Sequence, residues 1–243
     1  MRKDAPKVAI FRTQLVRKDQ IILDDISIEI EARSWTEIVG ISGAGKSDIF
    51  SYLCLRKQPK QGQVLFDGMN VEKMDRDSTS AARLEISSCS QRPLFLERES
   101  IFQNLRLPLF LRGISEADIK DEVLKAVDAF ECVHDLNLKL SALDPDDRLM
   151  VALMRTLVGN PSLIVIDALL NRLSQRRKEI ALKQLAFAQA AGATIVLLGR
   201  QKCEIPGELN VNALVHRLDR KGLHAQTLSN VAKMPSIRGR SAA

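Results

Sequence analysis

The sequence predicts an α/β fold whose central sheet contains parallel strands. A fully apolar run at 163–166 and a largely apolar one at 194–198 are typical of strands buried on both faces of a sheet. A helix-forming segment, 176–189, lies between them, and buried strands that alternate with helices favour a parallel arrangement. The third observation is a Gly-rich turn at 40–47, which follows one predicted strand and precedes a helix.

Composition excludes several classes of protein. The 243 residues are 45% apolar and 27% charged, enough for one sizeable core, which must be aliphatic because aromatic residues make up only 4%. These values exclude collagen, long disorder and a small disulfide scaffold. No apolar run approaches the length of a membrane span, and the N-terminus leads into no apolar signal segment, so we expect neither a span nor secretion.

Charge and cysteine content point to a cytoplasmic protein without nucleic-acid partners. The 36 Lys and Arg exceed the 30 Asp and Glu by 6, which suits ordinary solubility and also attraction to anionic headgroups or nucleic acid. No basic run interleaved with aromatics supports nucleic acid. The four cysteines, without a CxxC pair, are predicted to be buried reduced thiols rather than a metal site.

The first third of the chain is predicted to be strand-rich. A β-prone run covers 8–11, and Ile26, Ile28 and Ile30 alternate with polar residues as in a half-buried strand. A strand at 36–39 ends at the Gly-rich turn, and a helix is predicted over 46–55. A further strand and turn are predicted at 64–68.

The spacing of apolar residues changes twice in the remainder of the chain. The stretch 93–138 is predicted to be mostly helical, with Ser115 as an N-cap. The chain is predicted to close with a hairpin over 213–227. The basic tail 232–243 is predicted to be flexible, either solvated or in contact with a membrane surface or partner.

The Gly-rich turn fits the phosphate-binding pattern G-x-x-x-x-G-K-[ST] over 40–47. Glycines let the backbone wrap an anion closely, and the following helix adds the positive end of its dipole. Lys46 is predicted to reach the β- and γ-phosphates, and Ser47 to ligate Mg²⁺. An apolar strand ending in an acid is the usual second element of such sites, and Asp167 supplies it.

The order of these segments resembles the nucleotide-binding subunit of ABC transporters over residues 7–228. Gln91 in the segment 90–95 resembles that family's Q-loop, and 140–161 resembles its signature helix running into the Asp strand. The segment 104–109 resembles its lipid and lipoprotein exporters. The resemblance implies a P-loop NTPase fold of ABC type: a mixed central sheet, an antiparallel N-terminal β-subdomain and a helical subdomain at about 92–158, within one domain over 1–231.

The resemblance also implies ligands, partners and a location. The cofactors are ATP and Mg²⁺, and the partners are an integral membrane transport subunit and a second nucleotide-binding subunit, at the inner face of the cell membrane. Ser47, Gln91 and Asp167 are the implied metal site. The predicted nucleotide-binding residues are Gly40, Ser42, Gly43, Ala44, Gly45, Lys46, Ser47 and Asp48.

Several positions depart from the family pattern. The signature LSGGQ is replaced by 140–144 followed by Pro145, which is expected to remove an N–H at a helix start. Ala168 stands where the family has the Glu that activates water, and Arg200 stands where it has a His. Asp48 replaces a Thr near the α-phosphate and is expected to repel bound phosphates. No catalytic residue is assigned, although Gln91 and Arg200 are candidates.

Three functions remain open from the sequence. The first is a transport subunit that binds Mg-ATP but hydrolyses it weakly. The second is a working ABC ATPase in which Gln91 and Arg200 take over the work on water and γ-phosphate. The third is a non-transport role, as a regulatory or scaffolding protein at the membrane or as an ABC-type protein of DNA repair or translation.

Overall fold

A six-stranded sheet runs through the computed structural model, which describes residues 5–17, 20–132, 135–219 and 222–226. The predicted tail 232–243 lies outside these ranges. The sheet has the order β10-β9-β3-β8-β7-β6, and all neighbours are parallel except the closing hairpin of β9 and β10. Its strands are β3 (Trp35–Gly40), β6 (Ile86–Cys89), β7 (Leu163–Asp167), β8 (Thr194–Gly199), β9 (Ala213–Asp219) and β10 (Gly222–Gln226).

A second, antiparallel sheet is built from the N-terminal part of the chain, in the order β2-β1-β4-β5. The mixed central sheet and the antiparallel N-terminal sheet are therefore both confirmed. The predicted strands at 8–11 and 26–31 are parts of longer strands, which bulge where their register shifts. The strands are β1 (Val8–Arg17), β2 (Gln20–Ile30), β4 (Gln63–Phe66) and β5 (Met69–Asn70).

Helices cover both faces of the central sheet. Ser115 caps α4 as predicted, since its side chain accepts a hydrogen bond from Asp118 N at 3.3 Å. The stretch 93–138 holds two helices separated by a short turn and flanked by loops. The helices are α1 (Lys46–Leu53), α2 (Arg76–Glu85), α3 (Ile101–Leu111), α4 (Glu116–Ala129), α5 (Pro145–Leu157) and α6 (Gln175–Ala190).

Two hydrophobic clusters sandwich the central sheet. Alternate residues of each strand point to opposite faces, so Ile195 and Leu197 join the cluster of α3–α6, whereas Val196 and Leu198 join that of the antiparallel sheet and α1. The parallel strands end at one edge, which brings the residues after β3, β7 and β8 together. That edge is where the candidate site lies.

Trp35, the only Trp, is fully buried as the first residue of β3. The phosphate-binding turn begins at the other end of this strand, roughly 16 Å away at about 3.3 Å per residue. Fluorescence of Trp35 therefore reports on folding of the sheet rather than directly on a ligand at the turn.

Candidate functional site

The Gly-rich turn joins β3 to α1, and two of its glycines have positive φ. Gly45, the N-cap of α1, has φ +98°, and Gly43 has φ +84°; L side chains rarely adopt such angles. A Cβ at residue 45 would lie 2.2 Å from the Leu15 side chain. The turn thus needs glycine both for its conformation and for its close packing against the antiparallel sheet.

Lys46 lies inside the turn rather than in solvent. Its side chain is buried, and its Nζ donates to the carbonyl oxygens of Gly40 and, at 2.8 Å, of Ile41. Burial lowers the pKa of Lys46; the charge of Asp167 opposes this shift, and the charge of Arg200 adds to it. The ammonium group is therefore held by backbone oxygens at a position where an anion can replace them.

Asp167 ends β7, and Gln91 follows the adjacent parallel strand β6. Gln91 Nε2 donates to Asp167 Oδ1 at 3.3 Å. Burial raises the pKa of Asp167, whereas the Gln91 hydrogen bond and the positive charge of Lys46 lower it. The structure thus brings together Lys46, Gln91 and Asp167.

A cleft of about 530 Å³ opens at this edge of the sheet. The phosphate-binding turn forms one wall, which we call the phosphate wall. Ala168, Asn171, Arg172 and Arg200 form the other, which we call the opposite wall. The residues that line the cleft are Ser42, Gly43, Gly45, Lys46, Ser47, Gln91, Ala168, Asn171, Arg172 and Arg200.

The opposite wall is a short turn after β7 together with the first residue after β8. Ala168 has φ +52°, and its N–H donates to Leu198 O at 2.7 Å. Arg172 Nη1 donates to the backbone carbonyl of Gln91. Sequence reasoning did not place Asn171 and Arg172 in the cleft, although a turn after a parallel strand at its carboxyl end is a signal for such a position.

Three of the predicted nucleotide-binding residues do not line the cleft. Gly40 and Ala44 are buried beneath the turn. The carboxylate of Asp48 pairs with Lys57 Nζ at 2.9 Å, so the repulsion of phosphates expected from its charge is partly compensated. Its backbone N–H donates to Gly45 O within the first turn of α1.

The segment that replaces the signature forms a short 3₁₀ turn followed by the start of α5. Asp144 is the N-cap of α5 and accepts from Asp147 N at 2.8 Å. Pro145 is the first helical residue, where an N–H has no partner within the helix, so the loss expected at this position does not arise. Leu143 is buried in the core rather than presented at the surface.

The described part of the chain offers few other groups that could bind a metal or act as nucleophiles. No group of three or more His, Cys, Asp and Glu that could hold a metal is found there. Cys54, Cys89 and Cys203 are buried and Cys132 half-buried, all as free thiols, and burial raises the pKa of the first three to about 11. Within the described ranges, no helix combines the length and apolar character needed to cross a bilayer.

Structural comparison places this architecture among ATP-binding subunits. A structure described as an ATP-binding subunit of an ABC transporter superposes with a TM-score of 0.78 at 18% identity, covering 91% of this chain and 90% of the other. A dimeric ATP-binding cassette in a post-hydrolysis state, bound to ADP and Pi, gives 0.77 at 20% identity, with coverages of 90% and 98%. These likenesses show the ABC-type fold.

Sequence comparison gives the family. The methionine import ATP-binding protein MetN of Francisella tularensis subsp. holarctica (strain OSU18) is 29% identical over 179 residues, which are 73% of this chain and 51% of that protein. The chain thus spans about half the length of such relatives. The family described as ABC transporter matches residues 23–171, more than half of the chain. This match, together with the fold and the phosphate-binding turn, shows that the chain belongs to the ABC transporter family.

Proposed function

We propose that this chain is the nucleotide-binding subunit of an ABC transport complex, that it binds Mg-ATP, and that it hydrolyses ATP poorly. One observation carries the proposal. The cleft retains Lys46, Ser47 and Gln91 beside the buried Asp167, whereas Ala168 stands on the opposite wall where the family has its Glu.

The residues of the cleft fit a nucleotide with its metal ion. Lys46 would donate to the phosphates once they replace the carbonyls of Gly40 and Ile41, and the positive end of α1 faces the same space. Ser47, Gln91 and Asp167 would hold Mg²⁺, because hydroxyl, amide and carboxylate oxygens are the ligands it prefers. When bound, Mg²⁺ neutralises phosphate charge and orients the phosphate chain.

Weak hydrolysis follows from the side chains of the opposite wall. The methyl group of Ala168 can neither orient water nor accept its proton, and loss of a general base typically costs about 10²–10⁴ in rate. Arg200 can donate to phosphate but cannot shuttle a proton. The substituted segment 140–144 lacks the two glycines of the family signature, which let a second subunit's backbone approach the γ-phosphate.

A membrane subunit is the proposed partner on the side of α3. A groove of about 240 Å³ lies between the segment 83–88 and α3 and α5, and exposed Leu84 and Leu111 contribute to its lining. Leu94, in the loop after Gln91, is 87% exposed. Apolar side chains clustered at such a groove favour a docking surface, and we infer a cytoplasmic location at the inner face of the membrane.

A second nucleotide-binding subunit is the other proposed partner, supported by the dimeric cassette that this fold resembles. The named relative is a methionine importer, and the likeness to lipid and lipoprotein exporters is confined to 104–109. We therefore propose membership of an import-type complex, and the exporter branch stays a prediction.

The experiment is calorimetric titration of the protein with Mg-ATP, in parallel with Lys46→Ala and with Lys183→Ala as a control at an exposed position outside the cleft. We expect saturable binding that Lys46→Ala weakens about ten- to a hundredfold, as loss of a charge-assisted contact predicts, and that Lys183→Ala leaves unchanged. Absence of binding at millimolar Mg-ATP would overturn the proposal. Steady release of phosphate at rates usual for the family would instead favour a working ATPase.

A further inference from the structure

We propose that Arg172, together with Arg200, forms a cationic wall that makes the cleft select a nucleoside triphosphate over the corresponding diphosphate. The inference rests on the proposed function, since it concerns the same cleft, and it adds a ligand preference and a residue that the family resemblance did not supply.

One end of the Arg172 guanidinium is held in place by a hydrogen bond. It is the last residue of the 3₁₀ turn Leu170–Arg172, and its Nη1 donates to the backbone carbonyl of Gln91. A guanidinium carries five N–H donors, so one such contact leaves most of them for a ligand. Among the described residues, no carboxylate lies within ion-pair distance of Arg172 or Arg200.

The charged side chains that line the cleft are all positive, and the buried carboxylate of Asp167 lies near only one of them, Lys46. Lys46, Arg172 and Arg200 contribute three cations, and none of the lining residues is acidic. Arg200 lies close enough to Lys46 for its charge to lower the pKa of that ammonium. Like charges gathered in one cleft repel one another, and a polyanion bound between them removes that repulsion.

The two walls would act on different parts of a phosphate chain. A phosphate-binding turn wraps the α- and β-phosphates, and only the terminal phosphate of a triphosphate extends towards the wall that faces it. Arg172 and Arg200 lie on that facing wall. A diphosphate would satisfy the turn and Lys46 without reaching the arginines, so its affinity should depend on them little.

The methyl group of Ala168 is part of the same arrangement. A carboxylate at this position would face the cleft and neutralise a neighbouring guanidinium. With Ala168 there, the charges of Arg172 and Arg200 stay available to the ligand. Ala168 in place of the family's Glu slows cleavage of the triphosphate, and Arg172 and Arg200 hold its terminal phosphate. Both effects therefore favour retention of the triphosphate in the cleft.

The test compares affinities for the Mg²⁺ complexes of ADP and of the non-hydrolysable β,γ-imido analogue of ATP, measured by calorimetry. Arg172→Gln removes the charge but keeps a side-chain N–H that can donate to the Gln91 carbonyl, and Arg172→Ala removes both. We expect wild type to prefer the triphosphate analogue at least about tenfold. Both variants should weaken that analogue by about ten- to a hundredfold and change ADP affinity less than about threefold.

Arg176→Ala is the matched control, because Arg176 is an exposed arginine on α6 that pairs with Glu131 and does not line the cleft. It should leave both affinities unchanged. An equal loss for ADP and the analogue in Arg172→Gln, or no loss for either, would overturn the inference. Failure of wild type to bind any nucleotide would instead refute the proposed function, so the two failures are distinguishable.

Discussion

The two walls of the nucleotide cleft are built differently. On the phosphate wall the side chain of Lys46 is 7% exposed, and the adjoining Asp167 is 5% exposed. On the opposite wall Asn171, Arg172 and Arg200 are exposed, and Arg172 donates to the backbone carbonyl of Gln91. The phosphate wall is thus anchored in the folded core at Gly45 and Lys46, although Ser42, Gly43 and Ser47 of the same wall are exposed, whereas the arginines that would hold the terminal phosphate lie on the surface.

This difference predicts that the two walls tolerate substitution to different degrees. A change at buried Gly45 or Lys46 of the phosphate wall disturbs packing or leaves a buried polar group unpaired, and typically lowers the free energy of unfolding by about 1–3 kcal/mol. An exposed side chain on the opposite wall can change with an effect of about 0.5 kcal/mol or less. Stability therefore constrains the buried base of the phosphate wall, at Gly45 and Lys46, more than the exposed side chains of the opposite wall.

The largest effect is expected at Gly40, where the phosphate wall begins. A Cβ there would lie 2.3 Å from the backbone oxygen of Leu218, its partner on β9. A backbone atom cannot rotate away, so Gly40→Ala must displace one of the two strands. We expect a loss of about 3 kcal/mol in the free energy of unfolding, measured by denaturant titration, and loss of nucleotide binding.

Gly43→Ala is the matched control within the same turn. A Cβ at residue 43 meets no heavy atom within 4 Å, so only its φ of +84° is strained. This substitution should lower stability by about 1 kcal/mol, clearly less than Gly40→Ala. Equal losses of stability in the two variants would show that the contact between Gly40 and β9 adds nothing to the cost of a Cβ in this turn.

The sequence predicted the phosphate wall well because its signals are local. The pattern over 40–47 and the apolar strand before Asp167 each consist of characteristic residue types, whereas Gln91 was assigned from the family resemblance. The helix α2 was missed because only Ala82 of its ten residues is buried, which leaves no periodic apolar face to detect. The strand β6 was missed because Ser87 and Ser88 interrupt its apolar pattern.

The opposite wall could be predicted only in part. The positions of Ala168 and Arg200 follow from the strands that precede them. The placement of Arg172 depends on the path of the turn after β7, which is set by the positive φ of Ala168 and its hydrogen bond to Leu198. That path is a tertiary property. The same applies to Asp144, whose capping of α5 follows from how the substituted signature folds.

A smaller effect, dependent on pH, is expected at Glu37, which links the two walls. Glu37 lies on β3, and its Oε2 accepts from Cys203 N at 2.7 Å, on the segment that carries Arg200. Burial raises its pKa above 4.5; the Cys203 hydrogen bond and the charges of Lys202 and Lys178 oppose this. A raised pKa means that the folded state holds the proton more tightly, so stability falls as pH rises from 4.5 through the folded pKa.

Glu37→Gln removes this titration and keeps an acceptor for Cys203 N. We expect it to stabilise the protein relative to wild type at pH 8 by an amount of the order of 1 kcal/mol, and to have a smaller effect near pH 4.5. Unfolding can be followed by the fluorescence of buried Trp35. Glu204→Gln, an exposed Glu on the same segment, is the control. A pH dependence unchanged by Glu37→Gln would show that this carboxyl does not titrate differently on folding.

The smallest effect is expected at Ala168, and it bears most directly on the opposite wall. A φ of +52° costs a residue with a Cβ about 1 kcal/mol, and proteins retain such strain mainly where it serves a function. Ala168 has this strained φ but lacks the carboxylate of the family's Glu, for which the strain would serve a function. Ala168→Gly should therefore raise the free energy of unfolding by about 0.5 kcal/mol, since the greater freedom of glycine in the unfolded chain offsets part of the relief. Nucleotide affinity should not change.

The matched comparison is Ala126→Gly inside α4, where the same substitution should lower stability by about 1 kcal/mol because the residue is helical. Opposite signs at the two positions, measured by denaturant titration, are the expected result. If Ala168→Gly instead destabilised the protein or weakened nucleotide binding, the Cβ of Ala168 would be contributing to the cleft. The opposite wall would then be as closely fitted to its ligand as the phosphate wall, and its departures from the family pattern would have to be explained as adaptation rather than as freedom to diverge.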